Sequence, residues 1–266
     1  MKQRLITGIV AGGLFLGICW LGGLTYHVLI MIMALIGYYE FVRMTKLPAF
    51  GVTAILGYLG VLYITFPWGL LDVSIPLGTF PVLWLLMLLF LTVTVISKNE
   101  IPIGQVALLL LGVIYIGIGF TSIAETRNTA DGHGLFWTFL MLSAIWSSDA
   151  GAYFTGRKLG KNKLWPAISP NKTVEGALGG ILLAVVVSVV FAMASGGLLT
   201  VGRAVLLGVA AAVVGQMGDL IQSAYKRVYG IKDSGKLLPG HGGILDRCDS
   251  WIAVFPFIHI LMLLPL

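Results

Sequence analysis

Residues 201–250 read VGRAVLLGVAAAVVGQMGDLIQSAYKRVYGIKDSGKLLPGHGGILDRCDS. The first half is apolar for the roughly 20 residues that a bilayer crossing needs, yet it carries a carboxylate, Asp219. The second half is charged and rich in glycine. Between Asp219 and Asp249 lie four of the eleven acidic residues (Asp219, Asp233, Asp246, Asp249) and five of the seventeen Lys and Arg (Lys226, Arg227, Lys232, Lys236, Arg247). A carboxylate inside a span is costly, usually faces a cavity and marks function; a structural pair with Lys226 or Arg203 is the plainer alternative.

The residues can be placed. Asp219, Gln222, Ser223 and Lys226 follow the i, i+3, i+4, i+7 rule and share one helix face, with Gly215 one turn earlier. After Arg227 the pattern breaks. Gly230, Gly235, Pro239, Gly240, Gly242 and Gly243 mark a loop, and a new apolar run begins at Trp251. A helix end and a loop thus carry Asp219, Asp246 and Asp249 towards one place together with several cations. Carboxylate oxygens suit hard cations such as Mg²⁺, and lysines beside them suit phosphates. The expectation is a metal-and-phosphate site.

The rest of the chain is the setting for that site. Of 266 residues, 58% are hydrophobic and 11% charged, with a mean hydropathy of +0.97; soluble domains carry about 25% charged residues. The composition predicts an all-α polytopic membrane protein with no separate soluble domain. Runs long enough to span fall near 5–23, 25–42, 51–68, 80–97, 104–123, 135–154, 176–196, 201–225 and 250–266. That is nine, grouped as 1–125 (five spans) and 126–266 (four spans, with the site on the cytoplasmic side). The first two are joined by a tight Gly-Gly turn. Met-Lys-Gln-Arg before the first run imitates a signal peptide, but no small-residue cleavage site follows Cys19-Trp20, so a retained helix is expected. Cys19 and Cys248 suggest neither a disulfide framework nor a zinc site.

With the N-terminus inside, nine spans put all of the seventeen Lys and Arg except Arg127 and Arg203 on the inner side or its loops. That is the bias the positive-inside rule demands. It also accounts for the net charge of +6 without nucleic acid. In the outer loops Phe66–Thr79 and Glu125–Gly134, Asp72, Glu125, Asp131 and His133 are expected to be merely solvated. Glu40, near the inner end of the second span, is expected to pair with Arg43 at i+3.

A second polar stretch, SSDAGAYFTGRKLGKNKLWPAISPNKTVEG, runs from Ser147 to Gly176. Asp149 stands near the inner end of the sixth span, with Tyr153 and Gly156 on its face. Thr173 is a candidate N-cap for the seventh span, with Glu175 in its first turn. A helix N-terminus beside Lys172 is a ready anion site. For Lys158, Lys161 and Lys163, setting topology or touching anionic lipid is an equal reading. Gly151-x-x-x-x-Gly156-Arg157-Lys158 misses the P-loop ending and follows no strand, so it is set aside.

Both stretches resemble the CDP-diacylglycerol synthase (phosphatidate cytidylyltransferase) family. One pattern is carried by Ser223, Lys226, Arg227, Lys232, Asp233, Gly235, Leu238, Pro239, His241, Gly242, Gly243, Asp246, Arg247 and Asp249. The other is carried by Ser169, Pro170, Lys172, Thr173, Glu175 and Gly176. Tyr225 and Cys248 stand where the family usually has aliphatic residues. The resemblance implies that CTP and phosphatidate give CDP-diacylglycerol and pyrophosphate in a bacterial inner membrane, with the site facing the cytoplasm. It implies catalytic roles for Asp219, Lys226, Asp246 and His241, the last as a hydrogen-bonding group rather than a general base. Phosphate contacts fall to Ser169, Lys172, Thr173, Ser223, Arg227, Lys232, Gly242, Gly243 and Arg247. Asp219, Asp246, Asp249 and Asp149 would hold one or two divalent cations such as Mg²⁺, with room for a monovalent cation. Membrane lipids and a homodimer are the further partners it allows. Two other readings are a CTP-dependent polyprenol kinase and an ion-coupled transporter. The latter leaves the long Val228–Asp249 loop unexplained and shows no inverted repeat.

Overall fold

Small residues decide how closely these helices can approach. The computed structural model describes residues 2–74, 77–237 and 239–265, with no account of the side chains of residues 2–5. Leu238 of the motif, Leu266 at the end of the ninth expected span, and Ile75 and Pro76 of an outer loop lie outside the described residues. Among those described, the helices are α1 (Lys2–Leu21), α2 (Gly23–Met44), α3 (Val52–Thr65), α4 (Thr79–Ile96), α5 (Ile103–Thr126), α6 (Gly134–Leu159), α7 (Val174–Ala194), α8 (Val201–Val228) and α9 (Leu245–Ile260). Five of them, α2, α4, α5, α7 and α8, are long and apolar enough to cross a membrane. The chain is an all-α integral membrane protein.

Three features differ from the sequence expectation. Between α6 and α7 the chain forms a two-stranded antiparallel ribbon, β1 (Lys163–Trp165) and β2 (Ser169–Thr173), where only a loop is expected. Polar strands this short carry no apolar alternation to reveal them. The polar end of α6 also runs further than expected, through Arg157 and Lys158, whereas α8 ends at Val228, where the pattern breaks after Arg227. Cations in a last turn face the negative end of the helix dipole, so they extend the helix rather than end it. α9 starts at Leu245 instead of Ser250, for a reason given below.

The molecule divides into two compact units. The first comprises Met1–Ala124 with Asp233–Arg247, the second Glu125–Lys232 with Cys248–Leu266. In the first, Gly22 and Gly23 both have positive φ (67° and 56°) and make the expected tight turn between α1 and α2. Helix α2 is the centre of this unit: Tyr26, Ile30, Ala34, Tyr38 and Phe41 are buried. The Tyr38 ring lies against Gly57 of α3, and its hydroxyl donates to the carbonyl of Leu109 on α5 at 3.4 Å. By contrast α4 buries only Val82, Leu86 and Phe90, one narrow stripe at a spacing of four. Its remaining apolar faces are exposed, as a lipid-facing helix requires.

In the second unit α7 buries Gly176, Gly180, Ala184, Ser188 and Ala192, a stripe of small residues at every fourth position. The stripe brings backbones together. A Cβ on Gly180 would stand 2.7 Å from the carbonyl oxygen of Ser148 on α6, and one on Gly208 of α8 would stand 2.7 Å from Val185 Cα on α7.

The outer loop of this unit is more ordered than solvated charge would be. Asp131 accepts from Thr129 Oγ1, the His133 N–H and Trp137 Nε1 at 2.7–2.9 Å. Desolvation pushes its carboxyl up, but these donors and the nearby His133 outweigh that and hold it below the usual carboxylate range. Glu125 lies 3.8 Å from His259, whose Nε2 is 2.8 Å from Thr126 Oγ1. The expectation of mere solvation is therefore corrected for Asp131, whose donors come from its own loop and from Trp137 of α6; His133 and Glu125 remain exposed, as expected.

Candidate active site

The polar residues of the second unit gather where α8, β2 and α9 present them. Asp219 and Ser223 are one turn apart on α8, and Ser223 Oγ donates to Asp219 Oδ1 at 3.2 Å. Lys172, on β2, places Nζ 2.5 Å from Asp219 Oδ2, with both side chains partly exposed. The ion pair of Asp219 is therefore with Lys172, a partner that spacing along the sequence did not offer. Arg203 instead lies over the Trp137 ring and donates to the carbonyl of Met262.

Helix termini and the ribbon hold these groups. Thr173 caps α7 as its sequence position predicts, accepting the N–H of Gly176 at 3.1 Å. Glu175 accepts the backbone N–H groups of Lys161 and Asn162 and the Asn162 amide, which ties down the approach to β1. Arg227 Nε donates to the carbonyl of Ile168 at the ribbon turn, 3.2 Å away. Lys172 is thus delivered by a short ribbon anchored at both ends. Lys232 is exposed, and Ser169 is half-buried beside Lys172 in β2.

Asp249, in the first turns of α9, accepts the Ser250 N–H at 2.8 Å and feels the negative charges of Asp219 and Asp149 and the positive charge of Lys226. The approach is possible because Gly218 lets α8 and α9 touch: a Cβ there would lie 2.6 Å from the Asp249 carbonyl oxygen. Lys172, Asp219, Ser223, Asp249, Lys226 and Asp149 are thereby gathered in this unit. Gln222, on α8, was not singled out as a site residue. It is fully buried, and neither amide atom has a protein partner among the described residues.

The remaining motif residues belong to the first unit. One oxygen of Asp246 accepts the N–H groups of Ser234 (2.8 Å) and Gly243 (2.9 Å). Gly242 has φ +85°, and a Cβ on it would stand 2.5 Å from that same oxygen. The oxygen approached by the Gly243 N–H is therefore the chain's own carboxylate. His241 is half-buried with no partner for Nδ1 among the described residues, and its ring edge lies against Gly8 of α1. Arg247 is exposed.

The residue that the sequence reading missed here is Glu40. It does not pair with Arg43, whose guanidinium turns to Tyr39 instead. Glu40 accepts Ser234 Oγ and the N–H groups of Ile244 and Leu245, each at 3.0 Å. Those two N–H groups open α9, which explains its early start. The signal was present: a carboxylate in an apolar span is as costly in α2 as in α8.

Among the described residues no three His, Cys, Asp or Glu side chains form a ready metal shell. Magnesium needs none, since it commonly takes one or two carboxylates and completes its shell with water and substrate phosphates. What the second unit offers is carboxylates and ammonium groups side by side at the ends of apolar helices. Such a place suits a phosphorylated substrate with an apolar part.

Comparison with known proteins bears on that chemistry directly. The sequence profile of the cytidylyltransferase family matches residues 2–264. The chain belongs to the cytidylyltransferase family. Among its relatives, this cytidylyltransferase-family chain is 41% identical to the phosphatidate cytidylyltransferase of Bacillus subtilis (strain 168), over 99% of this chain and 98% of that protein. It is 39% identical to the phosphatidate cytidylyltransferase of Staphylococcus haemolyticus (strain JCSC1435), over 99% of each chain. It is 37% identical to that of Staphylococcus aureus (strain COL), again over 99% of each.

Proposed function

We propose that this membrane protein transfers the cytidylyl group of CTP to phosphatidate, giving CDP-diacylglycerol and pyrophosphate for phospholipid biosynthesis. The family and the near-full-length relatives support the activity. The structural observation that carries the reading is the Lys172–Asp219 pair, an ammonium and a carboxylate in contact beside Ser223.

The reaction joins two polyanions. A phosphate oxygen of phosphatidate attacks the α-phosphorus of CTP, a new P–O bond forms, and the bond to pyrophosphate breaks. The nucleophile is already an anion near neutral pH, so no general base is needed. The protein must neutralise charge and align the partners. Lys172, Lys226, Lys232 and Arg227 are the phosphate-binding cations of this reading, with Ser169, Thr173 and Ser223 as lesser contacts. The N-terminus of α7, capped by Thr173, adds partial positive charge.

The residues fit a hard divalent cation. Asp219 already draws an ammonium to its Oδ2, so that oxygen is placed for positive charge. Asp219, Asp249 and Asp149 would hold Mg²⁺, with Asp246 three residues before Asp249 on α9. A bound cation would supply charge neutralisation on the nucleotide phosphates. The distribution of Lys and Arg supports a site on the cytoplasmic face of a bacterial inner membrane, where CTP is found.

Turnover in detergent micelles with phosphatidate, Mg²⁺ and CTP labelled in turn at the α- and γ-phosphorus tests the reading. The α label should enter the lipid and the γ label should leave as pyrophosphate. Entry of the γ label into lipid would mean a kinase and would sink the proposal.

A further inference from the structure

Glu40 is 3% exposed, on an apolar helix, with no cation as partner among the described residues. A buried carboxylate of this kind is retained only if its surroundings satisfy it. Here the satisfaction comes from one place, the segment Ser234–Leu245. The segment is moulded to it: a Cβ on either Gly235 or Gly243 would run into the Glu40 carboxylate. Ser234 is gripped twice, its hydroxyl donating to Glu40 and its N–H to Asp246. The N–H of Gly243 goes to Asp246 and that of the next residue, Ile244, goes to Glu40. The two carboxylates therefore share one loop backbone between them, and fixing one fixes the other.

We propose that Glu40 is a positioning residue for cytidylyl transfer: it clamps the Asp233–Arg247 loop in the conformation that presents Asp246, and must be ionised to do so. The proposal rests on the reading of Asp246 as a working carboxylate. All three partners of Glu40 are donors, and a carboxylate offers only acceptors. A carboxamide of the same size would turn an N–H₂ towards one of them. Charge-assisted bonds of this type are also about twice as strong as neutral ones. Arg43 is engaged with Tyr39 and leaves the clamp to the loop.

The test uses full-length protein in micelles, comparing wild type, Glu40→Gln and Ser234→Ala. Steady-state kinetics with CTP, phosphatidate and Mg²⁺ is read beside thermal unfolding and amide exchange without substrates. Glu40→Gln should lower kcat about 10- to 100-fold, as loss of an orienting partner does. KM for phosphatidate should not move, and exchange should quicken at Ile244 and Leu245 but not along α2. Ser234→Ala, which keeps both backbone bonds to Glu40, should show a smaller loss of kcat at unchanged unfolding temperature. Wild-type kcat in Glu40→Gln overturns the proposal. So does a loss explained wholly by a smaller folded fraction. If Glu40→Gln does not fold, Ser234→Ala decides: a reduced kcat supports the clamp, and a wild-type kcat overturns it. Wild type that makes no CDP-lipid would remove the functional reading and this role together, while quickened exchange would still report the contact.

Discussion

Gln222 has a primary amide sealed inside the protein with no protein partner for its nitrogen or its oxygen among the described residues. An unmet buried polar group costs about 1–3 kcal/mol, whereas an apolar side chain of the same shape costs nothing comparable. Gln222→Leu is therefore expected to raise stability by about 1 kcal/mol, seen as a higher unfolding temperature in micelles. A lower unfolding temperature would show that the amide is satisfied after all, by water or ligand. The neighbouring Asp219 is the opposite case. Its two oxygens are engaged by Ser223 and Lys172, so the carboxylate is already held in place for the phosphate chemistry proposed for it. The periodicity of α8 put Asp219 and Ser223 on one face, and that was legible. Lys172 as the partner was not, because it arrives on a ribbon that polar residues form without any apolar alternation to reveal it.

At the scale of elements, the approach of α8 to α9 at Gly218 is the contact on which the carboxylate group of the second unit depends. Gly218→Val would force side-chain atoms against the Asp249 carbonyl oxygen and Ala253 Cβ, 2.6 and 3.0 Å from where a Cβ would sit. Overpacking of this kind typically costs about 1–3 kcal/mol. The unfolding temperature should fall and the Asp249 backbone should shift; an unchanged unfolding temperature would mean that the helices can separate without penalty. Much of this level was readable from sequence. Apolar runs marked the helices, Gly22-Gly23 the first turn, and Thr173 the cap of α7, all local patterns. The start of α9 was not readable, because Glu40 fixes it from 204 and 205 residues away. Local spacing offered Arg43 instead, and no property of the i+3 pair reveals that a distant loop competes for the same carboxylate.

For the whole molecule, the inner-side bias of Lys and Arg makes a prediction about sidedness. Asp72 and Lys161 are both exposed, and the native Cys19 and Cys248 are buried, so single cysteines at 72 and 161 would be read against a quiet background. In intact cells a membrane-impermeant maleimide should label Asp72→Cys but reach Lys161→Cys only after permeabilisation; the reverse pattern would invert the topology. The Glu40 clamp has a different consequence, one of timing. Ser234 follows Glu40 by 194 residues. At translation rates of about 5–20 residues per second, α2 is made roughly 10–40 s before its partner loop emerges. Throughout that interval the nascent chain holds a carboxylate at membrane depth with none of its eventual donors in existence. It must stay protonated or keep to the lipid–water boundary until Ser234–Leu245 arrives. A nascent chain arrested before Ser234 should therefore keep α2 loosely inserted and within reach of water-soluble reagents, and release of the finished C-terminal segment should be the event that seats it.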